Sequence, residues 1–234
     1  REDKWNGEVG FAVAGISVNA GTMRAIEPTN DIVFYYGDSI TEGMECYATG
    51  YQNAHVRAYR GAGPESVVYN TTVKDHIRNV QEPAFDAVVE TQPDALYILF
   101  GTNTLVNGSE DTAAKFITYY EKMIDLFHES LPNVPIYVQS IPGVQEWVKD
   151  SKPGLQNDRI KLVNNLLANM ALRKGCYFVN GREVLTNPAD GSQYDVYATK
   201  DGVHFTREYI ASYPANVIAI RLTADQPGAI SLYA

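Results

Sequence analysis

The sequence predicts an α/β fold, a three-layer α/β/α sandwich in which helices cover both faces of a central, mainly parallel, five-stranded sheet. Three observations lead there. Residues 32–36, 95–100 and 135–141 are largely apolar runs of strand length, rich in β-branched and aromatic side chains, as strands buried on both faces require. Longer stretches at 111–131 and 156–174 instead carry their apolar residues at the 3.6-residue spacing of amphipathic helices. The two kinds of segment alternate about five times along the chain, a pattern that closes into a parallel sheet through right-handed crossovers.

Taken in order, residues 1–28 precede the first central strand and are expected to be a β-rich extension or the remnant of an upstream domain. Val9, Phe11 and Val13 alternate with small residues, and the alternation resumes out of frame at Ile16 and Val18, as in a bulged strand or a two-strand corner. Pro28, Thr29 and Asn30 mark the boundary, so the main domain is expected at 29–234. After the strand at 32–36, Gly37 breaks the run. Residues 44–66 read as a helix start and a loop, 67–69 as a short second strand, and 76–91 as a helix kinked at Pro83. Pro93 ends that helix. Asp111 can cap the long helix whose apolar face is Phe116, Tyr120, Ile124, Phe127 and Leu131, and Pro132 and Asn133 stop it. A loop at 142–153 holds Trp147. The helix over 156–174 presents Ile160, Val163, Leu166, Leu167 and Met170, and residues 176–179 form a last short strand. A loop at 186–200 carries Tyr194 and Tyr197. A final helix over 207–222, kinked at Pro214, completes the expectation.

Composition excludes several classes of function. A net charge of -9 over 234 residues, with no Lys/Arg cluster, argues against nucleic acid as a partner. No apolar run reaches the roughly 18 residues of a membrane span, so no membrane is expected either. Cys46 and Cys176 match no metal spacing and read as buried thiols, so neither a metal nor a cofactor is expected. The chain opens on Arg1-Glu2-Asp3-Lys4 without an initiator Met, as a processed or excised fragment would. Sixteen tyrosines, several in Gly/Pro/Asn-rich connections, point to a stacking surface.

The chemistry gathers at strand ends. Gly37-Asp38-Ser39 places a hydroxyl just past the carboxyl end of a central strand, where open α/β sheets keep their ligand crevice, although Asp38 and Ser39 would also serve as a helix cap. Acyl transfer by such a serine needs a base, a carboxylate that orients the base, and donors aimed at the oxyanion. Asp201-Gly202-Val203-His204 supplies the first two across a tight turn, and Asn103 offers a side-chain amide from Gly101-Thr102-Asn103 at the end of another apolar strand. The other histidines, His55, His76 and His128, lack a strand-end setting and read as solvated or structural.

These blocks resemble those of the SGNH hydrolases, the GDSL-type esterases and lipases. Gly37-Asp38-Ser39-Ile40-Thr41-Glu42-Gly43 is similar to the family's nucleophile block, Gly101-Thr102-Asn103 to its asparagine block, and Asp201-Gly202-Val203-His204 to its terminal block, in the family's order across residues 31–222. The resemblance implies a flavodoxin-like SGNH sheet, Ser39 as nucleophile, His204 as base and acid, and Asp201 as its orienter. It also implies an oxyanion hole made by Asn103, the Ser39 N–H and a glycine N–H. Gly63 is chosen for that glycine over Gly61, with an ordinary loop glycine as the alternative, since the Asn70-Thr71-Thr72-Val73 segment has none. Thr104 departs from the pattern, because the family usually places Asp after the asparagine.

The expected function is therefore a serine esterase that removes a small acyl group, acetyl above all, from a small-molecule or polysaccharide carbohydrate ester. Tyr47, Tyr51, Trp147, Tyr194 and Tyr197 are aromatic groups available for stacking on sugar rings. Asp38, Trp147, Tyr194 and Tyr197 are the expected substrate-binding residues. Alternatives are a lipid or aryl esterase, an acyltransferase of the same fold, and a non-catalytic carbohydrate-binding module, for which Thr104 is the only hint. An upstream β-domain is the expected partner in a longer chain. The expected location is outside the cell or on a bacterial surface, with the cytoplasm as the alternative.

Overall fold

A computed structural model describes residues 32–46, 54–106, 108, 109 and 111–205, together with short strands at 12–13, 16–17, 208–212 and 217–221. Backbone proximity separates residues 1–30 and 223–234 from a larger unit, residues 31–222. In the smaller unit β1 (Ala12–Val13) pairs antiparallel with β2 (Ile16–Ser17), so the out-of-frame alternation is a two-strand corner.

The larger unit runs β3 (Val33–Gly37), α1 (Ser39–Cys46), β4 (Ala54–Ala58), α2 (Pro64–Val68), β5 (Thr72–Asp75), β6 (Val80–Pro83), α3 (Asp86–Val89), β7 (Ala95–Leu99) and α4 (Thr102–Leu105). It continues through α5 (Asp111–Ser130), β8 (Ile136–Gln139), a 3-10 helix (Glu146–Asp150), α6 (Asn157–Arg173), β9 (Tyr177–Val179), α7 (Arg182–Leu185), β10 (Glu208–Ser212) and β11 (Val217–Arg221). The central sheet has the order β4-β3-β7-β8-β9, and every pairing in it is parallel. Period-two alternation divides its side chains. Phe34, Tyr36, Leu96, Ile98, Ile136 and Val138 pack beneath α5 and α6 with Phe116, Tyr120, Ile124, Phe127, Ile160, Val163, Leu167 and Met170. Val33, Tyr35, Val56, Ala95, Tyr97 and Tyr137 line the opposite face, where Ile40 of α1 and Leu185 of α7 also pack with Leu99. Each fully buried side chain of this size contributes roughly 1.5–3 kcal/mol, so α5 and α6 are anchored through their apolar stripes rather than by propensity.

Four local expectations are corrected. The second strand of the sheet is β4, not residues 67–69, which fall in and after α2. Pro64 just after Gly63 is a helix-start signal that outweighs the β propensity of Val67 and Val68, while His55 and Arg57, set between buried Val56 and Ala58, disguise an edge strand. Residues 76–91 are not one helix. Instead β5 and β6 form a hairpin, turned by the Asp75 carboxylate, which accepts from the N–H groups of Ile77 (2.9 Å) and Arg78 (2.8 Å), and by Asn79 at φ 55°. Leu166 is not on the buried face of α6 but 45% exposed. Finally, β10 and β11 pair antiparallel where a helix over 207–222 was expected. Tyr209, Ile210, Val217, Ile218 and Ile220 favour strands, and Pro214 inside a helix would cost about 3 kcal/mol.

Candidate active site

β3 and β7 are adjacent and in register, Gly37 opposite Leu99, so the segments that follow them emerge side by side. Gly37 allows that closeness, since a Cβ there would stand 2.4 Å from the Leu99 carbonyl oxygen. Ser39 opens α1 directly after β3, and its Oγ lies 2.8 Å from His204 Nε2. His204 Nδ1 lies 2.5 Å from Asp201 Oδ2. A carboxylate can only accept, so Nδ1 carries the proton and donates to it, which leaves Nε2 to accept from the serine hydroxyl.

The turn that carries His204 is built for this contact. Asp201 Oδ1 accepts from the N–H groups of Val203 (2.9 Å) and His204 (3.0 Å) and from the Thr199 hydroxyl (2.6 Å), fixing the carboxylate before the imidazole meets it. Burial raises the Asp201 pKa, but the Thr199 hydroxyl, these backbone donors and the His204 ring outweigh it and hold the carboxyl well below its usual range. Gly202 sits at φ 70°, and a Cβ on it would stand 2.7 Å from the Trp147 ring. Glycine is required there on both counts. Trp147, 48% exposed, thus lies against the turn that holds the histidine.

Asn103 follows β7 in α4, and its side-chain amide donates to Asp38 Oδ2 (3.2 Å) and to the Ala62 carbonyl (3.3 Å). The second contact brings Asn103 to the peptide that joins Ala62 to Gly63. Gly63 precedes α2 in an extended conformation, and a Cβ on it would fall 2.6–2.8 Å from the Glu65 carboxylate oxygens and the Thr104 hydroxyl. Gly61, by contrast, has open space around it at φ 77°. A carboxylate therefore does stand beside the Thr104 segment, contributed by Glu65 of α2. Glu65 Oε2 and Thr104 Oγ1 are both buried without a hydrogen-bond partner.

Asp38, expected to bind substrate, is only 1% exposed and faces the protein. Its Oδ1 accepts from the Ile40 N–H at 3.0 Å while Oδ2 receives Asn103. Burial pushes its pKa up to about 7, although the Ile40 N–H and His204 pull it down. Tyr194 is 39% exposed and meets Tyr197 edge to face at 5.8 Å, with Tyr197 also packed beside Ile40, Leu99 and Phe205. Tyr47, Tyr51 and the Cys46 side chain lie outside the described residues. Among the described residues no group of three or more His, Cys, Asp or Glu is placed to hold a metal ion, and no helix is long and apolar enough to cross a membrane.

Three supporting residues were not singled out from the sequence. Gln193, 1% exposed, donates to the His204 carbonyl (3.3 Å), and its own carbonyl accepts from Gln145 Nε2 (2.6 Å). The Gln145 N–H in turn donates to the Gly202 carbonyl at 2.8 Å. Thr199 closes the turn through its hydroxyl and its N–H. Only the short Thr-x-Asp spacing could have pointed to Thr199, and nothing local marks the two glutamines.

Residues 35–208 match the model of the GDSL-like lipase/acylhydrolase family. Among solved structures, a Streptococcus pneumonia protein provisionally described as a platelet activating factor is similar at 22% identity and TM-score 0.59, over 77% of this chain and 79% of the other. A GDSL-like lipase from Bacteroides thetaiotaomicron is similar at 19% identity and TM-score 0.56, over 76% and 80%. An acetyl xylan esterase is similar at 18% identity and TM-score 0.52, over 74% and 90%. At these identities the likeness is one of fold. No curated protein matches the chain.

Proposed function

Because the chain belongs to the GDSL-like lipase/acylhydrolase family, and so is a hydrolase, we propose that it is a serine esterase that removes small acyl groups, acetyl above all, from carbohydrate esters. The observation that carries this reading is the continuous hydrogen-bonded chain Ser39 Oγ, His204 Nε2, His204 Nδ1 and Asp201 Oδ2, at 2.8 and 2.5 Å. In the first step Ser39 Oγ attacks the ester carbonyl carbon as its proton passes to His204 Nε2, and Asp201 stabilises the resulting imidazolium. The carbonyl oxygen becomes an oxyanion that accepts from the Ser39 and Gly63 N–H groups and the Asn103 amide. Collapse of this intermediate breaks the bond to the alcohol, which leaves with the proton from His204. Water, deprotonated by the same nitrogen, then attacks the acyl-serine, and the acid departs as Ser39 is regenerated.

Both Asn103 amide hydrogens are engaged in this structure, so an oxyanion must displace one bond. The 3.3 Å contact to the neutral Ala62 carbonyl is the weaker and the one to yield. The carbohydrate substrate is supported by half-exposed Trp147 against the Gly202 turn, by exposed Tyr194, and by the acetyl xylan esterase among the structural neighbours. Hydrolysis of p-nitrophenyl acetate, butyrate and octanoate, beside acetylated xylo-oligosaccharides, tests the reading. The expected result is acetate release from the oligosaccharide, a fall in rate with chain length, and loss of nearly all activity in Ser39→Ala. Turnover of octanoate above acetate, or no turnover together with no labelling of Ser39 by an organophosphonate, would overturn it.

A further inference from the structure

We infer that Asp38 is a positioning residue of the oxyanion hole: its buried carboxylate holds one hydrogen of the Asn103 amide and so aims the other at the developing oxyanion. The inference rests on reading Asn103 as an oxyanion donor. An aspartate at a helix start is ordinarily a cap, and Asp38 Oδ1 performs that task for the Ile40 N–H at 3.0 Å. Serine, threonine or asparagine would cap as well without placing a carboxylate in a site only 1% exposed. What those residues cannot do is present a second oxygen to Asn103, which Asp38 Oδ2 does at 3.2 Å and which is acceptor-only once the carboxyl ionises above its raised pKa. An asparagine at this position that kept the Ile40 bond would turn its NH2 toward the NH2 of Asn103.

The surroundings support a task tied to the reaction. The charge of His204 is felt at Asp38, and the Ile40 N–H and the Asn103 amide donate to it from α1 and α4. A primary amide has two hydrogens in one plane, so fixing one on Asp38 fixes the direction of the other. That other hydrogen rests on the Ala62 carbonyl, the acceptor an oxyanion would replace. With one hydrogen held on Asp38, the amide has only the weaker Ala62 bond to exchange when charge develops, and removal of such a donor is felt in kcat rather than in KM.

The test is a double-mutant cycle on p-nitrophenyl acetate with wild type, Asp38→Asn, Asn103→Ala and the double variant, each also followed by thermal unfolding. Asp38→Ser, which keeps a cap for Ile40 but cannot reach Asn103, is a second probe should the Asn variant fold poorly. Both Asp38 variants are expected to lower kcat on the order of 30-fold or more with KM within about threefold, and the double variant to be within about threefold of Asn103→Ala alone. If Asn103→Ala is strongly impaired while the Asp38 variants keep kcat within about threefold, or if the two losses multiply, the positioning role is overturned and the oxyanion reading stands. If Asn103→Ala itself keeps kcat, the oxyanion reading falls, and this inference with it.

Discussion

Asn103 spends its amide on two acceptors at once, a buried carboxylate and a backbone carbonyl, and this decides what its loss should do. Were it only a loop brace, Asn103→Ala would cost stability and leave the rate alone. As an oxyanion donor it should cost on the order of 10²–10³ in kcat with little change in KM. The Asp38 oxygen it abandons adds a stability loss of about 1–3 kcal/mol, read from thermal unfolding. Asp38 has a pH signature of its own. Burial lifts its pKa from an ordinary 3.8 to about 7, so between these values the folded protein holds a proton that the unfolded chain has released. Stability from the neutral carboxyl is therefore full below about pH 4 and is lost as pH rises to about 7. Asp38→Asn never ionises, so its stability relative to wild type should improve by roughly 2–3 kcal/mol between pH 5 and pH 8. Urea unfolding at the two pH values checks this, and a constant difference would mean that the carboxyl stays ionised across the range. Ser39, Asn103, Asp201 and His204 could be picked out of the sequence as candidates because each stands within two residues of a glycine at a strand end or tight turn. Gln193 and Gln145 were not, because they act through main-chain carbonyls of residues far from them in sequence.

Helix α6 shows the same limit at the scale of an element. Its apolar residues at helical spacing predict the helix and most of its inner face, but that spacing assigns no partner to a polar residue on the same face. Asn157 and Asn164, seven residues apart and therefore on one side of the helix, are both buried. Asn164 pairs with the N–H and the carbonyl of Ile141, each at 2.8 Å. Asn157 does the same for Val144, at 3.0 and 2.9 Å. The helix thereby clamps the stretch after β8 by side-chain copies of strand pairing, and that stretch delivers Gln145 to Gly202 in the turn that carries His204. Asn157→Ala would leave the N–H of Val144 without a partner, while its carbonyl keeps the Gln193 N–H at 3.3 Å, a loss of about 1–3 kcal/mol in the unfolding free energy. Because Gln145 is the next residue, kcat/KM should also fall, by about tenfold, on an acetyl ester. Unchanged activity in a destabilised variant would show that the clamp supports the fold without supporting the site. The misread segments fail for related reasons. Val67 and Val68 have strand propensity but follow a proline at a helix start, and Ala54–Ala58 carries two polar residues because it is the edge of the sheet.

At the scale of the molecule, the sheet was legible because its inner strands are apolar on both faces, yet its most regular feature was not. Tyr35, Tyr97, Tyr137 and Tyr177 fall in register on neighbouring parallel strands β3, β7, β8 and β9. Parallel strands about 4.8 Å apart place in-register side chains at stacking distance, and the rings stack with centroids 5.1, 4.4 and 4.9 Å apart. In sequence these are single tyrosines about 40 to 60 residues apart, so only the register reveals a ladder across four of the five strands. The ladder runs from buried Tyr35 to Tyr177, which is 58% exposed at the sheet edge, and its members cannot contribute equally. Tyr97, 1% exposed with a ring on each side, should lose about 3–5 kcal/mol on replacement by alanine, roughly 6–20 °C in Tm for a chain of this size. Tyr177→Ala removes a half-exposed ring from one side of buried Tyr137 and should cost about 1 kcal/mol. Neither ring reaches the strand ends where Ser39 and Asn103 emerge, so KM and kcat below the transition should stay within about twofold of wild type. Thermal unfolding of the two variants decides the matter. A Tyr97→Ala loss no larger than that of Tyr177→Ala would mean that the stacking follows from the register without holding the sheet together.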